Sequence, residues 1–116
     1  MAGRDAKADT QPLKHPEFWV LAALRAAPLH GYGIVQAVAQ QTADKVKLRP
    51  GNLYRVLDRM LERGLLEVAE RRPARELDDE RRTYYRITPQ GRRALAAEAE
   101  LLAVVVADVI ASPGKA

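Results

Sequence analysis

Cysteine is absent from this 116-residue chain, so disulfides, thiolate nucleophiles and thiol redox sensing are excluded. Histidine is nearly absent too. His15 and His30 stand at no helical ligand spacing, so zinc would need carboxylates for most of its ligands. No long hydrophobic run exists. The longest, Leu101 to Ile110, is interrupted by Asp108 and falls far below the ~20 residues that span a bilayer. Residues 1–14 are polar and lack the apolar stretch of a signal peptide, so a soluble cytoplasmic protein is expected. No Gly-rich phosphate loop or activated nucleophile accompanies His30, and Gly31 and Gly33 read as turn residues. Neither catalysis nor a cofactor is expected.

What is present suits one small domain. Hydrophobic residues form 47% of the chain, enough for a compact core, and 29% are charged. The net charge of +4 and a pI near 9.7 favour a polyanionic partner over an acidic one.

The pattern along the chain predicts three helices, a β-hairpin and one long helix, a mainly α fold with a small β element. Residues 1–14 read as a flexible arm. A first helix opens at Pro16 and runs to Ala27, where Pro28 stops it; Phe18, Leu21, Ala22 and Leu24 form its inward stripe, widened by Trp19 and Val20. Residues 29–33 make a tight connection into a second helix, Tyr32 to Thr42, with Ile34, Val35 and Val38 inward. After a turn over 43–48, a third helix begins near Pro50 and ends at Gly64, a residue suited to a left-handed cap. Alternation then takes over. Leu66 and Val68 alternate with Glu67 and Ala69, and in a second run Tyr85 and Ile87 are expected on the core face, with Tyr84 and Arg86 on the other, a β-hairpin with a long polar tip. Thr88-Pro89 is a helix start, and the fourth helix runs to about Ala111, some 33 Å at ~1.5 Å per residue.

At 100° per residue, Leu53, Val56, Leu57, Met60 and Leu61 share one arc of the third helix, and Asn52, Tyr54, Arg55, Asp58, Arg59 and Glu62 the other. Arginine can donate twice to guanine and asparagine can pair with adenine, which suits a major groove. Asp58 and Glu62 favour the plainer alternative, a solvated charged face. The helix's place as third of three, leading into a hairpin, favours DNA. The hairpin tip carries Arg71, Arg72, Arg75, Arg81 and Arg82, cations that a wing needs to reach phosphates or the minor groove. Interspersed Glu76, Asp78, Asp79 and Glu80 leave a salt-bridged loop as the alternative, and their spacing is not that of a calcium-binding loop.

On the fourth helix, Leu95, Ala99, Leu102, Val106 and Val109 recur at 4-3-4-3 spacing, a seam for helix pairing. A small domain covers one face of so long a helix, so a homodimer is expected. It would present two third helices to successive major grooves, ~10 bp apart.

Several segments together resemble the PadR-type transcriptional regulators: Pro28-Leu29-His30-Gly31-Tyr32-Gly33-Ile34; Leu48-Arg49-Pro50-Gly51-Asn52-Leu53-Tyr54-Arg55-Val56-Leu57; Gly64-Leu65-Leu66; and Arg82 to Gly91. The likeness covers about residues 16–110 and is to the short subgroup with a single C-terminal helix. It implies a winged helix-turn-helix at 15–88, a dimerisation helix at 89–111 and a tail at 112–116. It also implies repression through a pseudo-palindromic operator. Tyr32 is implied as a phosphate contact, and the segment opening the third helix, Arg49, Gly51, Asn52, Tyr54 and Arg55, as DNA-facing. Pro50 stands where many relatives have serine, so a hydroxyl–phosphate bond there is not expected. Relatives sense small aromatic molecules, which makes Phe18 and Trp19 a candidate effector pocket; core packing is the alternative for both. A winged helix that contacts only proteins, as a co-regulator, is the remaining alternative for the whole chain.

Overall fold

The structure, a computed structural model, describes residues 12–69 and 83–114. Their order is α1 (His15–Leu24), β1 (Leu29–His30), α2 (Gly31–Gln41), α3 (Pro50–Glu62), β2 (Leu66–Val68), β3 (Tyr84–Ile87) and α4 (Pro89–Ala111). A small three-stranded antiparallel sheet, ordered β1-β3-β2, packs with the helices as a winged helix-turn-helix.

Local chemistry sets most boundaries. α1 carries Pro16 in its first turn, where an amide would lack a partner anyway, and the Glu17 carboxylate accepts the Lys14 backbone N–H at 2.8 Å. The helix ends at Leu24, three residues before the expected Ala27. Pro28 disfavours helical geometry at Ala27, and Leu29 and His30 extend to pair with Tyr85 and Tyr84. That pairing replaces the expected tight connection with a strand. Gly31 and Gly33, expected as turn residues, therefore lie in the first turn of α2. His30 caps this helix, its Nδ1 accepting from Gly33 N at 3.2 Å.

Between α2 and α3 the chain reverses through two left-handed residues, Ala43 (φ 52°) and Asp44 (φ 65°). The Thr42 hydroxyl staples the turn, donating to Val38 O at 2.9 Å and accepting from Val46 N at 3.0 Å. α3 ends at Glu62 with Arg63 as its cap, and Gly64 next to it takes the expected left-handed conformation, its φ of +76° suiting a residue without a side chain. At the start of α4 the Thr88 hydroxyl accepts from Gly91 N at 2.9 Å and donates to Gly64 O at 2.7 Å, so one side chain caps α4 and ties it to the end of α3.

The core takes Val20, Leu21, Ala23 and Leu24 from α1, Ile34 and Val38 from α2, Leu53, Val56, Leu57 and Met60 from α3, and Leu65, Leu66, Tyr85 and Ile87 around the sheet. Ala23 is buried and Ala22 half-buried, a rotation of the expected stripe that also leaves Phe18 and Trp19 half-buried. Val68 pairs with Tyr85 on the core face, yet it lies beyond the core's edge and is half exposed. Tyr84 faces the other side and is nevertheless buried, because the His30 ring stands edge-on against it at 5.1 Å.

Of α4, only Gly91 and Ala94 are buried, and Leu95 packs against the core. Every residue from Ala99 to Ala111 is exposed. Among the described residues no helix is long and apolar enough to cross a membrane, and no three His, Asp or Glu side chains are placed to hold a metal.

Candidate nucleic-acid interface

The side of α3 opposite the core is open. Leu53, Val56, Leu57 and Met60 anchor the helix, which turns Asn52, Tyr54, Arg55, Asp58 and Glu62 to solvent. Arg59 was expected with them and is half-buried. Arg49, Pro50 and Gly51 are all exposed at the start of the helix, where no side chain caps the first turn. Pro50 has no N–H to offer, so an anion at this turn would be met by the amides that follow it, Gly51 and Asn52.

Tyr54 and Tyr32 flank the junction of α2 and α3. Tyr54 is 50% exposed, but its hydroxyl end lies over Gly31; a Cβ there would sit 2.5 Å from the phenol oxygen. A side chain at 31 would therefore push the Tyr54 ring from this position. Tyr32 is 62% exposed, its ring parallel to that of His30 at 6.5 Å. Both phenols therefore stand on the open side, Tyr32 free at its tip and Tyr54 partly committed to the fold. Beneath them the buried Tyr85 phenol has its pKa raised above the usual tyrosine value, first by desolvation and then by the nearby Tyr54 and Asp58.

Arg71, Arg72, Arg75, Arg81 and Arg82 of the wing tip, with the four acids among them, lie outside the described residues. The wing's base is in place. Glu67 and Arg86 pair across β2 and β3 at 2.9 Å, an exposed contact that adds little to stability.

Leu95, Ala99, Leu102, Val106 and Val109 do share one side of α4. With α1 that side forms a groove of about 690 Å³, lined by Leu13, Phe18, Trp19, Glu98, Leu102 and Val106 among others. Ala99, Leu102 and Val106 of the expected seam thus border the same groove as the expected effector residues Phe18 and Trp19. Phe18 and Trp19 meet edge-to-face at 5.6 Å, and the Trp19 indole N–H donates to His15 Nε2 at 3.1 Å. Beyond the groove, Leu101, Val104, Val105, Val109 and Ile110 extend the apolar surface, Ile110 being 76% exposed.

Sequence reasoning missed the groove's polar residues, His15 and Glu98, and it missed Glu17. This carboxylate is 1% exposed and pairs with Arg63, the residue that closes α3, at 3.3 Å. Pairing across 46 positions leaves no local trace. The Glu17 to Lys14 contact, three residues apart, was the one readable hint.

Comparison with known proteins agrees with this geometry. Among solved structures, a transcriptional regulator from Clostridium thermocellum is 22% identical with a TM-score of 0.69, the match covering 82% of this chain and 86% of that one. A PadR family transcription regulator from Clostridium difficile R20291 is 20% identical with a TM-score of 0.70, covering 87% of this chain and all of the other. Bacillus subtilis PadR in complex with operator DNA is 17% identical with a TM-score of 0.60, covering 72% of this chain and 46% of that one. At these identities the likeness shows the fold. No curated protein matches. The sequence model of the transcriptional regulator PadR-like family matches residues 20–97, which is more than half of the chain. The chain belongs to the PadR-like family of transcriptional regulators.

Proposed function

We propose that the protein is a sequence-specific DNA-binding regulator, a repressor that grips a pseudo-palindromic operator as a homodimer. The observation that carries this reading is the uncovered polar side of α3, with Asn52 and Arg55 exposed on a helix whose other side is locked in the core. Asn52 and Arg55 would read base edges, while Arg49, the Gly51 amide, Tyr32 and Tyr54 would meet phosphates and Arg59 would support them. The wing arginines 71, 72, 75, 81 and 82 would add backbone contacts. A solved relative crystallised with operator DNA supports the same use of the fold. In this reading the work is binding rather than catalysis, carried out in the cytoplasm.

In this reading residues 15–88 form the DNA-binding unit and 89–111 the pairing helix, with 1–14 as an arm and 112–116 as a tail. Exposed Leu102, Val106 and Val109 on the seam, with Leu101, Val105 and Ile110 beside it, would give a second copy an apolar surface to cover. A small aromatic effector at Phe18 and Trp19 would occupy the groove that borders this seam.

Selection of bound genomic fragments, followed by footprinting, tests the reading. Affinity should fall steeply with salt as phosphate contacts release counterions. One observation favours a second reading: Asp58 and Glu62 share the exposed side of α3 and would repel phosphate. A chain that selects no fragment, or binds with a flat salt dependence, would act as a co-regulator through protein contacts instead.

A further inference from the structure

Glu17 is the only charged residue in the buried set among the described residues. Its Oε1 accepts twice, from Lys14 N at 2.8 Å and from Arg63 Nη1 at 3.3 Å. Its Oε2 and the Nη2 of Arg63 are both buried and both lack a hydrogen-bond partner. A carboxylate and a guanidinium match each other as a two-pronged fork, which would satisfy both orphans. Here the fork is not made: the oxygen that accepts the Lys14 amide also takes Arg63 Nη1, and Oε2 and Nη2 are left without partners. Such a half-satisfied buried pair is a poor stabiliser, and an apolar pair would hold the fold at least as well.

The neighbouring amide has the same kind of anchor. Leu13 N–H donates to Glu98 Oε1 at 3.1 Å, and Glu98 stands on α4 in the wall of the groove. Two carboxylates, one on each helix bordering the groove, therefore hold consecutive amides of one strap. One of them also grips Arg63, whose carbonyl accepts from Gln90 Nε2 at 2.8 Å, so the end of α3 is held from α1 and α4 together.

We propose that Glu17 is a positioning residue for α3 with two settings, and that the Leu13–Lys14 strap selects between them. With the strap docked on Glu98, Glu17 holds Arg63 through one oxygen, as in the structure. With the strap released, Glu17 turns both oxygens to Arg63 and draws the end of α3 towards α1. Events in the groove thereby reach the DNA-facing helix through two hydrogen bonds and one ion pair. The coupling stands independently of the proposed function; only its effect on DNA rests on that reading.

Amide hydrogen exchange and nitrogen-15 NMR on the full chain test it. Glu98→Ala should speed exchange at Leu13 and Lys14 by about 2- to 10-fold, the loss expected for one hydrogen bond. It should also shift the Arg63 guanidinium signal and the amides of residues 60–63. Glu98→Gln keeps a carbonyl acceptor and should restore the native spectrum at both places. In an Arg63→Lys background, where the fork cannot form, Glu98→Ala should still loosen the strap but leave residues 60–63 unmoved. A strap that stays protected in Glu98→Ala overturns the proposal, as does an α3 end that stays still or that responds equally in both backgrounds. Glu98→Ala should also change affinity for a selected duplex by about 2- to 10-fold. Unchanged affinity in a chain that binds DNA overturns the positioning role. A native chain that binds no duplex sinks the regulator reading instead, and the amide result alone then decides the coupling.

Discussion

Leu102→Glu offers a quantitative test of the dimer. In the single chain Leu102 is 38% exposed on the groove wall, so the substitution leaves the buried core of the domain intact. In the proposed two-fold dimer the same side chain would be buried, and the symmetry would double the effect. Each new carboxylate loses solvation, worth several kcal/mol for a group taken out of water even after relaxation. A net cost of about 3–6 kcal/mol per dimer corresponds to a dissociation constant raised about 10²- to 10⁴-fold, at 1.4 kcal/mol per tenfold. Sedimentation velocity across a micromolar concentration series reads this directly, with circular dichroism confirming that the monomer is folded. A native-like dimer population in folded Leu102→Glu protein would refute the placement of the interface on this side of α4.

Other consequences follow from single residues. Arg55→Ala should weaken duplex binding by about 5- to 150-fold, the range for one two-pronged base contact, and the half-buried Arg59 should cost less when truncated; gel-shift titration checks both. Ala43→Gly relieves a left-handed backbone and should raise stability by about 0.5–1 kcal/mol in urea unfolding, once glycine's greater entropy is offset. Because the Tyr85 pKa is raised in the folded chain, its contribution is complete below the unfolded value near 10 and is lost as pH rises through the higher folded value. Stability should therefore fall above about pH 10, and Tyr85→Phe should flatten that alkaline limb in pH-dependent melts.

The features legible in the sequence were those decided within a few residues. Thr88-Pro89 announced α4, Gly64 closed α3, and the 100° spacing of Leu53, Val56, Leu57 and Met60 fixed which side of α3 faces outward. What stayed hidden depended on partners distant in sequence. A two-residue strand at Leu29–His30 has no periodicity to detect and exists only because Tyr84 and Tyr85 lie beside it. The same pairing buries Tyr84, which alternation alone assigned to the outside. Glu17 reads as a solvated charge until Arg63 is folded against it. The groove needed both α1 and α4 in position before Trp19, Glu98 and Leu102 could be recognised as neighbours.

The central claim is that the polar side of α3 enters a DNA groove. Methylation protection on a selected duplex tests it most directly, because guanine N7 is exposed only in the major groove. Two protected patches about one helical turn apart are expected, both lost with Arg55→Ala. Tight binding with every guanine N7 still reactive, or protection that survives Arg55→Ala unchanged, would contradict it.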